Sequence, residues 1–203
     1  PVLSAAPYKD VVKNFDLAAD FVKRQDGSKP FFLYVPTFVT HGPQRVTNEE
    51  VTGWMQRHPG ADRGLAQIMI TIAKTDECLG KLHAALDEKG LTGSTLFLVA
   101  SDNGAYSLER YAEINKPFRE GKGSFHEGGI RVPLVARWPG HIAPDTRSDS
   151  LVHFVDLLPT LAELAGAKPP VDHVLDGRSL VPLMKGGSWS GRTLFIHYPH
   201  YVM

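Results

Sequence analysis

Apolar positions along the chain alternate between two spacings, the three-to-four-residue recurrence of helices and the short continuous runs of buried strands. Over residues 10–25, Val11, Val12, Phe15, Ala18, Ala19 and Val22 recur at helical intervals, and the DGSKP stretch then breaks the pattern. The run FFLYVP, residues 31–36, has the look of a strand covered on both faces. A polar loop with Gly42, Pro43, Pro59 and Gly60 follows. The longest helix is expected over residues 63–89, a surface helix packed on a sheet. Leu65, Ile68, Met69, Ile72, Leu79, Leu82 and Leu86 fall on one side of it at 100° per residue, and Gly90 is placed to end it. Asp76 lands on that apolar side and reads as a carboxylate bonded to a neighbouring loop. Cys78 lies on the flank, with no cation or glycine-rich helix start beside it, and reads as a buried or half-buried inert thiol.

A second buried-type strand is expected in STLFLVASDNG, residues 94–104, and another in GGIRVPLVARWPG, residues 128–140, where Pro133 marks an edge strand or the start of one. DLLPTLAELA, residues 156–165, predicts a helix with Pro159 in its first turn, where a missing N–H is harmless. DGRSLVPLMKGG suggests a short helix and RTLFIHY a last strand. There is no internal repeat and no low-complexity segment. Strand and helix alternate throughout, so the class is α/β, a mostly parallel sheet flanked by helices.

Composition narrows the function classes. With 203 residues, 42% apolar, and 22 Lys+Arg against 22 Asp+Glu, the chain suits one globular domain with a real core. Zero formal charge without a basic block leaves no sequence-independent pull on nucleic acid. No apolar run reaches the roughly 18 to 20 residues that cross a bilayer, so neither nucleic acid nor a membrane is expected as partner. One cysteine excludes an internal disulfide but does not identify the compartment.

Candidate chemistry gathers at strand ends, where ligands sit in open α/β sheets. Asp102 and Asn103 close the strand with two hard oxygen donors suited to Ca²⁺ or Mg²⁺, and Gly104 lets the chain turn away. The same three residues are also a common turn, and two ligands are too few for a cation that takes about six to eight oxygens. Lys122 stands among glycines in GKGSFHEGGIRVP, a point charge for a tetrahedral oxyanion or a plain loop lysine. A P-loop does not fit, because Lys116 occupies the place of its first glycine and a strand, not a helix, is expected to follow.

The pieces KPFFLYVPTFVTHGP, TLFLVASDNG, GKGSFHEGGIRVPLVARWPG, DLLPTLAELAG and LDGRSLVPLMKG, in that order, resemble the carboxyl half of the catalytic domain of the formylglycine-dependent sulfatases, arylsulfatases and N-acetylhexosamine sulfatases among them. The resemblance implies an alkaline-phosphatase-like sulfatase fold, here incomplete: one partial catalytic domain over residues 1–203. It implies that Asp102 and Asn103 are calcium ligands, that Lys122 binds a sulfate oxygen, and that His41 in THGP contacts the sulfate and the bridging oxygen. Glu127, Gly128, Gly129 and Arg131 would be scaffold, and His126 a possible substrate contact. It further implies a sulfate ester substrate, an aryl sulfate or a sulfated glycan, and a periplasmic, secreted or lysosomal site of action.

One departure matters. The family's nucleophile is a formylglycine made from cysteine in Cys-x-Pro/Ser/Ala-x-Arg, whereas Cys78 sits in CLGKL. That region and the small carboxyl-terminal subdomain are expected outside this segment, leaving it without turnover. Two rivals stay open: a two-metal phosphatase or phosphodiesterase of the same superfamily, with His197 and His200 as weak ligand candidates, and a noncatalytic sulfated-glycan binder that keeps Lys122 and His41.

Overall fold

A computed structural model of the chain describes residues 10–42, 44–106, 114–168 and 172–197. They fall into two compact units, Pro1–Ser94 and Thr95–Met203. Among the described residues no helix is long and apolar enough to cross a membrane.

The first unit is helical: α1 (Val11–Lys23), α2 (Asn48–Arg57), α3 (Arg63–Glu88) and a 3-10 turn at Thr92–Ser94. Each helix has a side-chain cap at its start, where N–H groups lack intrahelical partners. Asp10 accepts the Lys13 N–H at 3.1 Å, and Asp62 accepts those of Gly64 and Leu65 at 2.7 and 3.0 Å. Gly90, at φ +66°, ends α3 as expected, and the Leu91 N–H returns to the Leu86 carbonyl at 2.9 Å. In α1 the buried face is Val11, Phe15, Ala18, Ala19 and Val22, five of the six residues its periodicity picked out.

Three readings change here. The expected polar loop contains α2, started by a capping box in which Thr47 and Glu50 exchange hydrogen bonds. The buried face of α3 is Ala66, Ile70, Thr71, Cys78, Leu82, Ala85 and Leu86, while Met69 and Ile72 are 41% and 46% exposed. Within this unit α3 packs on α1 and α2, and small residues on that side let the helices approach. Asp76 therefore faces solvent rather than the apolar side. Cys78 is buried, and burial pushes its thiol up from the ordinary value, which suits the inert reading. Residues 31–36 are extended but join no ladder among the described residues. Exposure alternates along them, with Phe32 and Tyr34 73% and 75% exposed, and no strand among the described residues covers that side.

In the second unit β1 (Phe97–Ala100) pairs with β2 (Leu134–Arg137), from Phe97 opposite Arg137 to Ala100 opposite Leu134. The α/β class holds, but this ladder is antiparallel, and it is the only one among the described residues. A two-stranded ribbon cannot cover both faces, so Val99, Leu134 and Val135 stay exposed. Pro133 directly precedes β2, where its missing N–H costs nothing, and its carbonyl accepts the Ser101 N–H at 3.2 Å. RTLFIHY forms no strand over its described part, residues 192–197. The helices are α4 (Glu127–Ile130), α5 (Leu157–Leu164) and α6 (Val181–Met184).

Asp156 anchors the carboxyl part of this unit. It is fully buried and accepts N–H groups from His153 at 2.7 Å and Arg178 at 2.8 Å, and a two-nitrogen clasp from Arg192, one arm at 2.7 Å. Its own carbonyl takes the Thr160 hydroxyl at 2.5 Å, and that hydroxyl accepts the Leu180 N–H at 2.8 Å. Burial alone would raise this carboxyl, but Arg192 and the two backbone donors outweigh it and hold it below the usual 3.8. Replacing Asp156 by Asn leaves a buried arginine unpaired, so equilibrium urea unfolding should show a loss of about 3–5 kcal/mol at neutral pH. The native carboxyl titrates below its unfolded value. The gap between wild type and D156N should therefore be full above about pH 3.8 and close as the pH falls through the lowered value.

Candidate functional site

Two loops of the second unit meet immediately beyond β1. In the first, Ser101 Oγ donates to the Asn103 carbonyl at 2.9 Å, and Asn103 Nδ2 to the Gly104 carbonyl at 2.9 Å. That bond uses the amide nitrogen of Asn103, and its amide oxygen is by type an acceptor. Asp102 is exposed, and its carboxylate has no hydrogen bond or ion pair among the described residues. The second loop carries Lys122 between Gly121 and Gly123, which turns at φ +89°. The Ser124 N–H closes it onto the Gly121 carbonyl at 3.0 Å.

Backbone hydrogen bonds join the loops: Gly104 N–H to the Gly129 carbonyl and Lys122 N–H to the Ala105 carbonyl, both at 2.9 Å. The Asn115 side chain braces Ala105 on both sides, accepting its N–H at 3.0 Å and donating to its carbonyl at 2.9 Å. The fit requires glycine. A Cβ on Gly104 would run into the Gly128 carbonyl oxygen and stand 2.8 Å from its carbon. One on Gly128 would strike the carbonyls of Arg119 and Glu120, and one on Gly129 those of Gly121 and Ser124. The EGG segment is thus the wedge that holds the lysine loop against the Asp102–Asn103 turn.

His126 serves the same loop. Its Nδ1 lies 2.8 Å from Glu120 Oε2 and 3.1 Å from Ser124 Oγ, and its N–H donates to Ser124 Oγ at 2.9 Å. Hydrogen bonding from Ser124, followed by His126, lowers the Glu120 carboxyl. Arg131 pairs with Glu127 at 3.1 Å and lies over the Phe118 ring at 4.7 Å, in keeping with the scaffold reading.

His41 belongs to the first unit. It is exposed, in a tight turn closed by its N–H to the Phe38 carbonyl at 2.6 Å, and Nδ1 lies 3.1 Å from the Gly42 carbonyl oxygen. An Nδ1–H in that bond leaves Nε2 open. The ring lines a cavity of about 180 Å³, together with Arg45 and Lys74, which the sequence reading passed over. The signal available was a second cation four residues beyond the histidine. His197 is described and exposed, and His200 lies outside the described residues. Among the described residues no three His, Cys, Asp or Glu side chains gather as a ready metal cluster.

A family model described as Sulfatase matches residues 7–167. The chain is similar to arylsulfatase A of Homo sapiens, 38% identical over 187 residues covering 92% of this chain and 34% of that protein. It is also similar to N-acetylgalactosamine-6-sulfatase of Mus musculus, 35% identical over 190 residues covering 92% of this chain and 35% of that protein. It thus spans about a third of the length of the curated relatives it matches. Among solved structures it superposes on Ps i-CgsB in complex with k-i-k-neocarrahexaose with a TM-score of 0.74 and 31% identity, covering 87% of this chain and 39% of that one.

Substituting Gly104 by Ala tests the joint directly. The variant should lose about 2–4 kcal/mol of stability. Hydrogen exchange at the Lys122 amide, read residue by residue, should accelerate at least about tenfold while β1 amides keep their protection. Unchanged exchange at Lys122 would mean that the joint is not what holds the loop.

Proposed function

The chain belongs to the sulfatase family, and we propose that it supplies the metal- and sulfate-binding part of a sulfuric ester hydrolase, within the alkaline-phosphatase-like sulfatase fold that it has. The observation that carries this reading is the glycine-locked joint, which sets a strand-end Asp-Asn pair and a Gly-Lys-Gly loop side by side in one unit. The loops that carry oxygen donors for a hard cation and an ammonium for an anion are joined through their backbones, which supports this reading.

Asp102 and Asn103 fit a calcium ion by donor type: a carboxylate with no hydrogen bond or ion pair among the described residues, and an amide whose nitrogen is engaged while its oxygen is an acceptor. Two side chains are a minority of the six to eight oxygens about Ca²⁺, so the rest of the shell comes from elsewhere. When bound, the cation would polarise the sulfate group and offset its charge. Lys122 neutralises a sulfate oxygen as negative charge shifts toward the leaving group, and its ammonium is a compact charge that needs no fixed fork geometry. His41 acts at the bridging oxygen as an imidazolium: Nδ1–H donates to the Gly42 carbonyl, and Nε2–H gives its proton to the departing alcohol, which leaves the ring neutral.

The nucleophile of this reading is the formylglycine expected outside the present segment, since Cys78 is buried in α3 and lacks the family's motif. The substrate class is a sulfated glycan or an aryl sulfate. Relatives named N-acetylgalactosamine-6-sulfatase, and a neighbour solved in complex with k-i-k-neocarrahexaose, favour the glycan. Action in an exported compartment goes with the same reading.

Titration of the chain with Ca²⁺, followed by analysis of bound metal, should show weak saturable binding with a Kd on the order of 10⁻³ M, lost in Asp102→Ala. Zinc retained in preference to calcium would support a two-metal phosphatase instead. The 203-residue chain should release no p-nitrophenol from p-nitrophenyl sulfate. In the longer enzyme, Lys122→Ala should lower kcat/KM by about 10²–10³-fold.

A further inference from the structure

The cavity beside His41 holds about 180 Å³. That is below the roughly 300–1,000 Å³ of pockets that enclose a whole drug-sized ligand, and suits one substituent of a larger molecule. Its polar wall comes from Asp10, His41, Gln44, Arg45, Thr71 and Lys74. Most of these groups are already engaged. Lys74 Nζ lies 2.6 Å from Glu50 Oε1, and the other Glu50 oxygen accepts the Thr47 N–H at 2.7 Å, so this pair closes on itself. Thr71 Oγ1 donates to the Gln67 carbonyl at 2.8 Å, and the Gln44 amide donates to the Thr40 carbonyl. Asp10 is turned to the start of α1, whose unsatisfied N–H groups and dipole offset its charge.

Arg45 is the exception. It is exposed, and its guanidinium makes no hydrogen bond or ion pair among the described residues. A planar fork of donors takes a carboxylate or a sulfate through two parallel bonds. Arg45 lines the same cavity as His41, four residues away in sequence.

We propose that this cavity is a subsite for a second anionic group of the substrate, a uronate carboxylate or an additional sulfate on the same sulfated glycan, with Arg45 as its specificity-determining residue. The inference rests on the reading of His41 as the residue at the reacting sulfate. An anion held by Arg45 fixes the neighbouring substituent next to the imidazole, so the pair selects substrates with two negative groups. A singly charged aryl sulfate leaves the fork unused.

The test uses the ¹⁵N-labelled 203-residue chain, titrated separately with sodium glucuronate and sodium sulfate, in wild type, Arg45→Gln and Arg45→Lys. Amides of Gln44, Arg45, Thr71 and Lys74 report the cavity, and those of residues 121–124 report the Lys122 loop. In wild type the cavity amides should shift with at least one of the anions. A response to glucuronate alone assigns a carboxylate, and to sulfate alone a second sulfate. Arg45→Gln should weaken the cavity response at least about tenfold, and Arg45→Lys should restore part of it. Cavity amides that stay still with both anions, or move equally in Arg45→Gln, overturn the subsite. The Lys122 loop is scored independently: its failure to respond to sulfate counts against the sulfate-binding reading and leaves the cavity result to be judged by its own amides.

Discussion

Close contact between backbones, possible only without Cβ atoms, is the constraint on which the candidate site depends. Gly104 meets Gly128 and Gly129, while those two press against the carbonyls of residues 119–124. Three short segments thereby become one joint, and the two loops that carry Asp102, Asn103 and Lys122 cannot drift apart without breaking it. Exposed polar side chains contribute little to their own placement, since surface pairs are worth only about 0–1 kcal/mol. Here the placement comes from main chain packed on main chain, so the candidate side chains are not needed to hold the loops together.

A second device secures the remainder of that unit. Asp156 gathers backbone donors at positions 153 and 178 and the Arg192 fork, while Thr160 ties α5 to the segment entering α6. Gly177 allows the approach, since a Cβ there would collide with the Val155 carbonyl. Both devices trade side-chain volume for backbone proximity at glycine, one beside candidate chemistry and one far from it in sequence. Their chemistry differs accordingly. The Asp156 carboxylate is saturated by donors, whereas the Asp102 carboxylate has none among the described residues, which is what a ligand position requires.

The sequence made the strongly periodic parts plain. The bounds of α3 and the inner face of α1 follow from spacing, caps and a terminal glycine. The inner face of α3 did so only at Leu82 and Leu86, because periodicity finds large apolar residues while the buried side also carries small ones, Ala66, Cys78 and Ala85. α2 escaped notice because its short, polar sequence advertises itself only through the Thr47–Glu50 box. Strand FFLYVP looked right by composition, yet a strand is defined by its neighbour, and none lies alongside it among the described residues. As for the site, residue types at Asp102, Asn103, Lys122 and His41 marked candidates through family resemblance. The bracing of Glu120 by His126, and the idle fork of Arg45, depend on contacts that no linear pattern encodes.

The glycine joint is expected to present one metal and one sulfate site from the two loops it binds together. A crystal of the chain grown with calcium and sulfate, with anomalous difference maps calculated at long wavelength, addresses it most directly. A calcium peak is expected about 2.3–2.6 Å from oxygens of Asp102 and Asn103, with a sulfate within hydrogen-bond reach of Lys122 Nζ beside it. Calcium bound away from the Asp102–Asn103 turn, or sulfate held elsewhere with Lys122 left in solvent, would contradict it.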